Sequence, residues 1–432
     1  MELDYLTGLL PLHIFMDEAD KVISANPDKH YAVTATDLSN FKYINDIYGL
    51  PAGNAAIKLM ADIFFINNPR CVMASRPYAD QFRALIDIGD NTLEQEVDYI
   101  TQCNRHMVEL LTERYPNVFF HIYTGLYIFG DKTESCRFAN DKAHFAKKCI
   151  KGNLSISCGI FDPKQFQDFS QIMTVTNLFQ YAKNHHSIDV YFQPKFSAKH
   201  NRMIGAEALG RIRDDKGMVV SPAFFIPVLE KTGMIGAFDD IIMELTFQHM
   251  RRWLDNNVAL VPISLNVSRI QFLKTGFIEK LLRLTELYRI PHELVEIEIT
   301  ETTFIDSMDL ITNYARRLHS LNFKISVDDF GSGYSSLSLI ASLPADIIKL
   351  DCSFARKCID TEQGRSILLS IIPMLLNLNF DIICEGIETL QQLETITELG
   401  CDKIQGYYYD KPLPVTEFET KYFMAAAPQS FT

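Results

Sequence analysis

Between Gln193 and Pro412 the chain repeats one pattern: a short apolar run, a polar or acidic residue near its end, and usually a stretch with helical spacing. The runs are VYFQP, GAEALGR, ISLNVS, VEIEITE, KISVDDF, IIKLD, DIICEGIE and KIQGYYY. Runs of this length separated by helical stretches read as strands of one sheet joined by crossover helices. Parallel strands closed into a barrel bring their C-terminal ends to one rim, where the side chains converge on a common mouth. That rim collects Gln193, Glu207, Asn266, Glu298, Asp328, Asp329, Lys349, Asp351, Glu385 and Gln405. Carboxylates crowded in this way repel one another unless something positive sits among them. The pattern points to a metal-dependent enzyme acting on an anionic substrate.

A chain of 432 residues is too long for one ordinary core, so two domains are expected. The net charge of −13 argues against nucleic-acid and anionic-membrane binding, which need basic surfaces. It leaves room for a small phosphate-bearing ligand held through metal ions. Nine cysteines, odd in number and without a CxxC pair, point to the reducing cytoplasm. No secretory leader is expected, because acidic residues follow Met1. The most apolar stretch, 367–380, contains Ser370, Pro373, Asn377 and Asn379 and is too short to span a bilayer. It reads as a buried barrel helix.

Residues 1–162 alternate strands and helices, which suggests a sheet with helices packed on it. YAVTATDL is a strand, and the stretch 44–65 is a turn leading into a helix. CVMASRPY and DQFRALIDI form a hairpin closed near Ala79 and Asp80. A helix over 92–113, a strand FFHIYTGLYIF, a helix over 137–148 and a last strand LSISCGIF follow. From 163 to 187, Phe166, Phe169, Ile172, Val175, Leu178, Phe179 and Ala182 recur at helical intervals and predict an amphipathic linker helix. The barrel then occupies 188–432.

Across 188–420 the chain resembles the EAL-type cyclic-di-GMP phosphodiesterases. The matching segments, in order, are Gln193-Pro194, Glu207-Ala208-Leu209-Gly210-Arg211, Asn266-Val267-Ser268, Glu298-Ile299-Thr300-Glu301, Asp328-Asp329-Phe330-Gly331, Lys349-Leu350-Asp351, Glu385-Gly386-Ile387-Glu388 and Gln405-Gly406-Tyr407. The resemblance implies a TIM-like (β/α)8 barrel whose first strand is antiparallel to the rest, and cleavage of cyclic di-GMP to linear pGpG. Phosphodiester hydrolysis needs a nucleophilic water and a shielded anionic centre, which two divalent ions about 3.5–4 Å apart supply. Hard oxygen ligands select Mg2+ or Mn2+.

By the same resemblance, Glu207, Asn266, Glu298 and Asp328 would hold the first ion. Asp328 would bridge, and Asp329 would hold the second, with Glu385 acting directly or through water. Lys349 would orient the attacking water, and a lysine among carboxylates should stay charged, which favours positioning over general-base work. Asp351, two residues on, would hold that lysine. Gln193, Leu209, Arg211 and Gln405 would meet the substrate, with Arg211 as a phosphate fork. Glu301 and Glu388 are as well suited to a structural place at a strand end as to a direct one. The loop 330–336 would place Asp329 and, in this family, couples the site to dimerisation, so a homodimer is expected.

Residues 1–160 resemble the GGDEF-type diguanylate cyclase domain, through Asp4-Tyr5-Leu6-Thr7-Gly8-Leu9, Thr36-Asp37, Phe41-Lys42-Tyr43-Ile44-Asn45-Asp46, Tyr48-Gly49 and Ala146-Lys147 with Lys151. The signature loop is altered to Tyr78-Ala79-Asp80-Gln81-Phe82. Tyr78 and Ala79 put side chains where the family's glycines let backbone approach the nucleotide, and Gln81 cannot bear charge. Asn54 replaces an acidic base-reading residue, and Pro69 and Val72 break the product-inhibition pattern. The expectation is a domain without cyclase activity in a regulatory or GTP-binding role, with Asp37, Asn45, Asp80, Lys147 and Lys151 as the residues that would hold GTP; a purely structural or dimerising role is the alternative. The alternative for the whole chain is a non-catalytic receptor for cyclic di-GMP and GTP that controls a partner protein. A bifunctional enzyme is disfavoured by Tyr78, Ala79 and Gln81.

Overall fold

The computed structural model describes residues 3–130, 133–274, 276–306, 308–331 and 344–424. The chain divides into two compact units, Met1–Ser170 and Gln171–Thr432, and the division falls inside one helix, Pro163–Asn184.

In the first unit, β1 (Tyr31–Leu38), β2 (Cys71–Tyr78), β3 (Gln81–Asp87), β4 (Ile122–Ile128) and β5 (Cys158–Ile160) form one sheet in the order β2-β3-β1-β4-β5. The central β1 is buried at every position, and β2 and β3 form the expected hairpin, with Tyr78 paired to Gln81. One face is covered by the helix Leu12–Ala25, whose Phe15, Met16, Ala19 and Ile23 meet Val33, Ala35 and Leu85. The sequence reading did not identify that helix. On the other face lies a second cluster that includes Ile57, Met60, Met107 and Leu111. The helix Leu93–Arg114 starts at a capping box: Gln95 N donates to Thr92 Oγ1 and Thr92 N to Gln95 Oε1.

The structure departs from two local expectations. The stretch read as a turn and one helix is two helices, Phe41–Tyr48 and Leu50–Ala61, followed by a π-helical turn, Asp62–Ile66. Gly49 at φ 85° breaks the first helix, and Pro51 suits the first turn of the second. The last strand shrinks to β5, three residues paired parallel to β4.

The second unit adds β6 (Ile188–Ser197), β7 (Arg202–Arg213), β8 (Val219–Val220), β9 (Ile263–Asn266), β10 (Val295–Thr300), β11 (Lys324–Phe330), β12 (Ile347–Leu350), β13 (Asp381–Glu385), β14 (Lys403–Gln405) and β15 (Leu413–Pro414). Pairing runs β6-β14-β13-β12-β11-β10-β9-β7 and closes by β7 on β6, with β15 and β8 attached at the margins. β6 is antiparallel to both barrel neighbours, whereas β7 and β9 through β14 are parallel. This is an α/β barrel with a reversed first strand.

Strand alternation sorts the side chains. On β10, Val295, Ile297 and Ile299 join the apolar layer, while Glu296 and Glu298 reach inward to Lys195. The apolar helix expected to be buried is Glu362–Asn377, and it is buried on one face only. Leu368, Ile372 and Leu375 face the core, whereas Ile367, Leu369 and Leu376 are exposed. A barrel helix has one face toward the strands, so even an apolar sequence leaves the other outside.

Candidate active site

The C-terminal ends of the barrel strands converge on Lys349, whose side chain is 1% exposed. Its Nζ lies 2.8 Å from Glu298 Oε2, 2.8 Å from Glu385 Oε1, 3.0 Å from Asp328 Oδ1 and 3.3 Å from Glu207 Oε2. These residues come from β12, β10, β13, β11 and β7, and parallel register sets their depth: Glu298 pairs with Asn266 and Ser326, and Glu385 with Gln405. Asn266 Nδ2 donates to Glu207 Oε1 at 2.6 Å, and Gln405 Nε2 donates to Glu207 Oε2 at 2.5 Å and to Gln193 Oε1 at 3.2 Å. Gln193 in turn donates to the Asp410 carbonyl at 3.1 Å.

Asp329 takes a positive φ of 58°, a conformation costing a non-glycine residue roughly 1–3 kcal/mol. Its amide donates to Asp328 Oδ1 at 3.0 Å. Oxygens of Asp328, Asp329 and Glu385 lie within 4.8 Å of one another, a spacing that suits a shared cation. Glu301, which is buried, accepts from the Gly331 amide at 3.1 Å and so ties down the chain just after the aspartate pair. Residues 332–336 of the expected loop lie outside the described residues.

The electrostatics record an excess of negative charge. Burial alone would lower the Lys349 pKa, but Asp328, Glu207, Glu298 and Glu385 outweigh it and hold it well above lysine's usual value. Glu385 is pushed up to about 8 by burial and the charges of Asp328 and Glu207, against Lys349. Burial and Glu298 likewise raise Glu207 and Asp328. Glu298 moves down: burial opposes that, but Lys195 and Lys349 both bond its carboxylate and prevail.

Six carboxylates (Glu207, Glu296, Glu298, Asp328, Asp329 and Glu385) face two ammonium groups, Lys195 and Lys349. The carboxylates outnumber the ammonium groups, an excess that divalent cations would offset. The donors are carboxylate and amide oxygens, which suit Mg2+ or Mn2+. The residues present therefore fit such ions.

Four further expected site residues stand outside this cluster. Asp351 does not hold Lys349. Its Oδ1 caps the helix Cys352–Ile359, accepting from the amides of Ser353 and Phe354 at 2.9 Å each. Glu388 is exposed, its carboxylate pairs with Arg356, and its amide donates to Gln392 Oε1 at 2.8 Å. Leu209 is half-buried on β7 opposite Tyr191. Arg211 Nη1 donates to the Gly210 carbonyl at 2.9 Å, with its guanidinium 5.3 Å from the Tyr191 ring centre.

The sequence reading missed Lys195, Ser264 and Glu296 beneath the mouth, and Asp239, which accepts from Ser268 N at 3.1 Å and Ser268 Oγ at 2.5 Å. Period-two spacing was the available signal, since Lys195 is two residues past Gln193 and Glu296 two before Glu298.

In the first unit, Asp37 accepts from Lys147 at 3.3 Å and Lys151 at 2.8 Å, while its Oδ1 is buried without a partner. Asp80 Oδ2 accepts from the Leu38 amide at 3.2 Å, and burial followed by the Asp37 charge raises its pKa. Asn45 is packed against Gly53, where an added Cβ would meet Asn45 Oδ1 at 2.0 Å. Tyr78 is exposed, and Ala79 takes φ 48° in the turn.

Comparison with known proteins agrees with this division. The family model "EAL domain" matches residues 177–412, and the model "Diguanylate cyclase, GGDEF domain" matches residues 1–154. The chain is 26% identical over 424 residues to the bifunctional diguanylate cyclase/cyclic di-GMP phosphodiesterase MucR of Pseudomonas aeruginosa, covering 96% of this chain and 60% of that protein. It is 26% identical over 422 residues to the cyclic di-GMP phosphodiesterase PdeR of Escherichia coli, covering 97% and 63%. The chain thus spans under two thirds of these relatives. Among solved structures, the PaMucR phosphodiesterase in complex with c-di-GMP matches with a TM-score of 0.54 and 30% identity, covering 57% of this chain and 99% of that one. With its barrel matched by that model and its first unit by the cyclase model, the chain belongs to the EAL domain family and carries an N-terminal GGDEF domain.

Proposed function

We propose that the barrel hydrolyses cyclic di-GMP to linear pGpG with two divalent cations, Mg2+ or Mn2+. The observation that carries this reading is the cluster of Glu207, Glu298, Asp328 and Glu385 around Lys349. The names of MucR and PdeR, and the c-di-GMP in the PaMucR structure, support the choice of substrate.

Glu207, Asn266, Glu298 and Asp328 would hold one ion, and Asp329 with Glu385 the other, Asp328 bridging. Bound there, divalent ions supply a water of lowered pKa and shield the phosphodiester charge. Lys349 keeps its proton among the carboxylates, and once cations hold those carboxylates a donor of its ammonium would be free to orient the attacking water. Gln405 donates to Glu207, and Gln193 accepts from Gln405. Arg211, propped on Tyr191, offers its remaining N–H groups to a substrate phosphate. Leu209 lies between Glu207 and Arg211 on β7 and would border the substrate.

The first unit is proposed as a regulatory domain without cyclase activity. Asp37, Asp80, Lys147 and Lys151 form a charged cluster suited to a nucleotide phosphate with its metal, and Asn45 would read the base. GTP would bind there unconverted, and the protein would act as a homodimer in the cytoplasm. Among the described residues no helix is long and apolar enough to cross a membrane.

One assay tests the reading: incubation with cyclic di-GMP or GTP plus Mn2+, with products resolved by chromatography. Formation of pGpG is expected. Unchanged cyclic di-GMP with measurable binding would make the protein a receptor, and cyclic di-GMP made from GTP would restore cyclase activity to the first unit. Calorimetry with GTP and Mg2+ that shows no heat removes the GTP-binding part alone.

A further inference from the structure

Lys195 lies beneath the mouth with 3% of its side chain exposed, and the chemistry above does not use it. Its Nζ donates to Ser264 Oγ at 2.8 Å, Glu296 Oε1 at 3.0 Å and Glu298 Oε1 at 2.8 Å. An ammonium has three donors, so every one is engaged and none is left for substrate. Gly205 pairs with Lys195 across β6 and β7, and a Cβ there would crowd the Pro262 carbonyl at 3.2 Å while making ordinary contact with Lys195 Cδ at 3.5 Å.

The consequence falls on Glu298, whose two oxygens are divided. Oε1 is held by Lys195, while Oε2 lies 2.8 Å from Lys349 at the mouth. A carboxylate with both oxygens free can chelate an ion with both or swing between one and the other. Here Oε1 is held beneath the mouth by Lys195, and Oε2 lies at the mouth beside Lys349.

We propose that Lys195 is a positioning residue for the cation site, holding Glu298 Oε1 so that Oε2 alone is offered to the metal. The proposal rests on the metal-dependent reading above. The competing account is that Lys195 serves only to neutralise buried Glu296. Partners behind metal ligands orient them, and losing one costs roughly 10–100-fold in metal affinity or activity.

The experiment measures Mn2+ binding to the full chain by calorimetry, with turnover measured alongside. Lys195→Met alone leaves two buried carboxylates short of a partner and risks unfolding. The informative comparison is therefore Glu296→Gln against the double variant Lys195→Met/Glu296→Gln, in which one buried charge of each sign is removed. Mn2+ affinity roughly 10–100-fold weaker in the double variant than in Glu296→Gln supports the assignment. Equal affinities, with wild-type uptake intact, overturn it and leave the metal reading standing. Wild-type protein that takes up no Mn2+ overturns both. If the double variant lacks a cooperative melt, crystals of the wild-type protein with Mn2+ decide. Glu298 bound to the ion through Oε2, with Oε1 still on Lys195, supports the assignment; chelation through both oxygens overturns it.

Discussion

Asp351 follows Lys349 by two residues, yet the two side chains serve different structures. Lys349 enters the acidic mouth, whereas Asp351 turns back to cap the helix Cys352–Ile359. β12 ends at Leu350, so the period-two rule that places residues on one strand face no longer applies at Asp351.

A cap of this kind contributes about 1 kcal/mol, and asparagine replaces aspartate well. Asp351→Ala should lose about that much stability in urea unfolding, and Asp351→Asn only a few tenths. Asp351→Asn should also keep its turnover; a large loss of rate with stability intact would return Asp351 to the chemistry.

Asp328 lies 3.0 Å from Lys349 and belongs to the acidic group formed with Asp329 and Glu385. In the proposed scheme it contributes charge to both ions. Asp328→Asn should therefore cut turnover by more than the roughly 10–100-fold seen when partners behind the ligands are removed. Circular dichroism should show the fold retained. Near-normal turnover in this variant would contradict the bridging role.

Asp239 should impose a pH dependence on stability. Burial raises its pKa from 3.8 to about 7, against the hydrogen bonds from Ser268. Between those two values the folded chain keeps a proton that the unfolded chain has released, so stability falls as pH rises across that window. The cost, fully developed above about pH 7, is on the order of a few kcal/mol. Asp239→Asn retains an acceptor for Ser268 and should flatten the slope between pH 4 and 7. Unfolding free energies that change with pH equally in both proteins would refute the assignment.

Ala79 sits at φ 48° in the β2–β3 turn, where an L-residue carries a left-handed penalty of roughly 1–2 kcal/mol. Glycine removes that penalty but loses roughly 0.5–1 kcal/mol more in chain entropy. Ala79→Gly should therefore stabilise the protein by about 0.5–1 kcal/mol, read from urea unfolding. It should form no cyclic di-GMP from GTP, because Tyr78, Gln81 and Asn54 remain.

The sequence by itself determined the order of the main barrel strands and most of the mouth. Each rim residue ends an apolar run, and strand periodicity carries Glu207, Glu298, Asp328, Lys349 and Glu385 to one end of a barrel whatever the loops do. Local chemistry likewise made the Thr92 helix start and the hairpin at Ala79 and Asp80 legible, since caps and tight turns depend on neighbours within a few positions. Only the tertiary structure decided which charges meet. Lys195 finds Glu298 from 103 residues away, through closure of β6 against β7 and the register of β9 with β10. The direction of Asp351 and the exposed face of the helix Glu362–Asn377 were settled in the same way, by packing beyond the strand ends. Those contacts depend on how strands distant in the chain come to lie side by side, and local spacing carries no record of it.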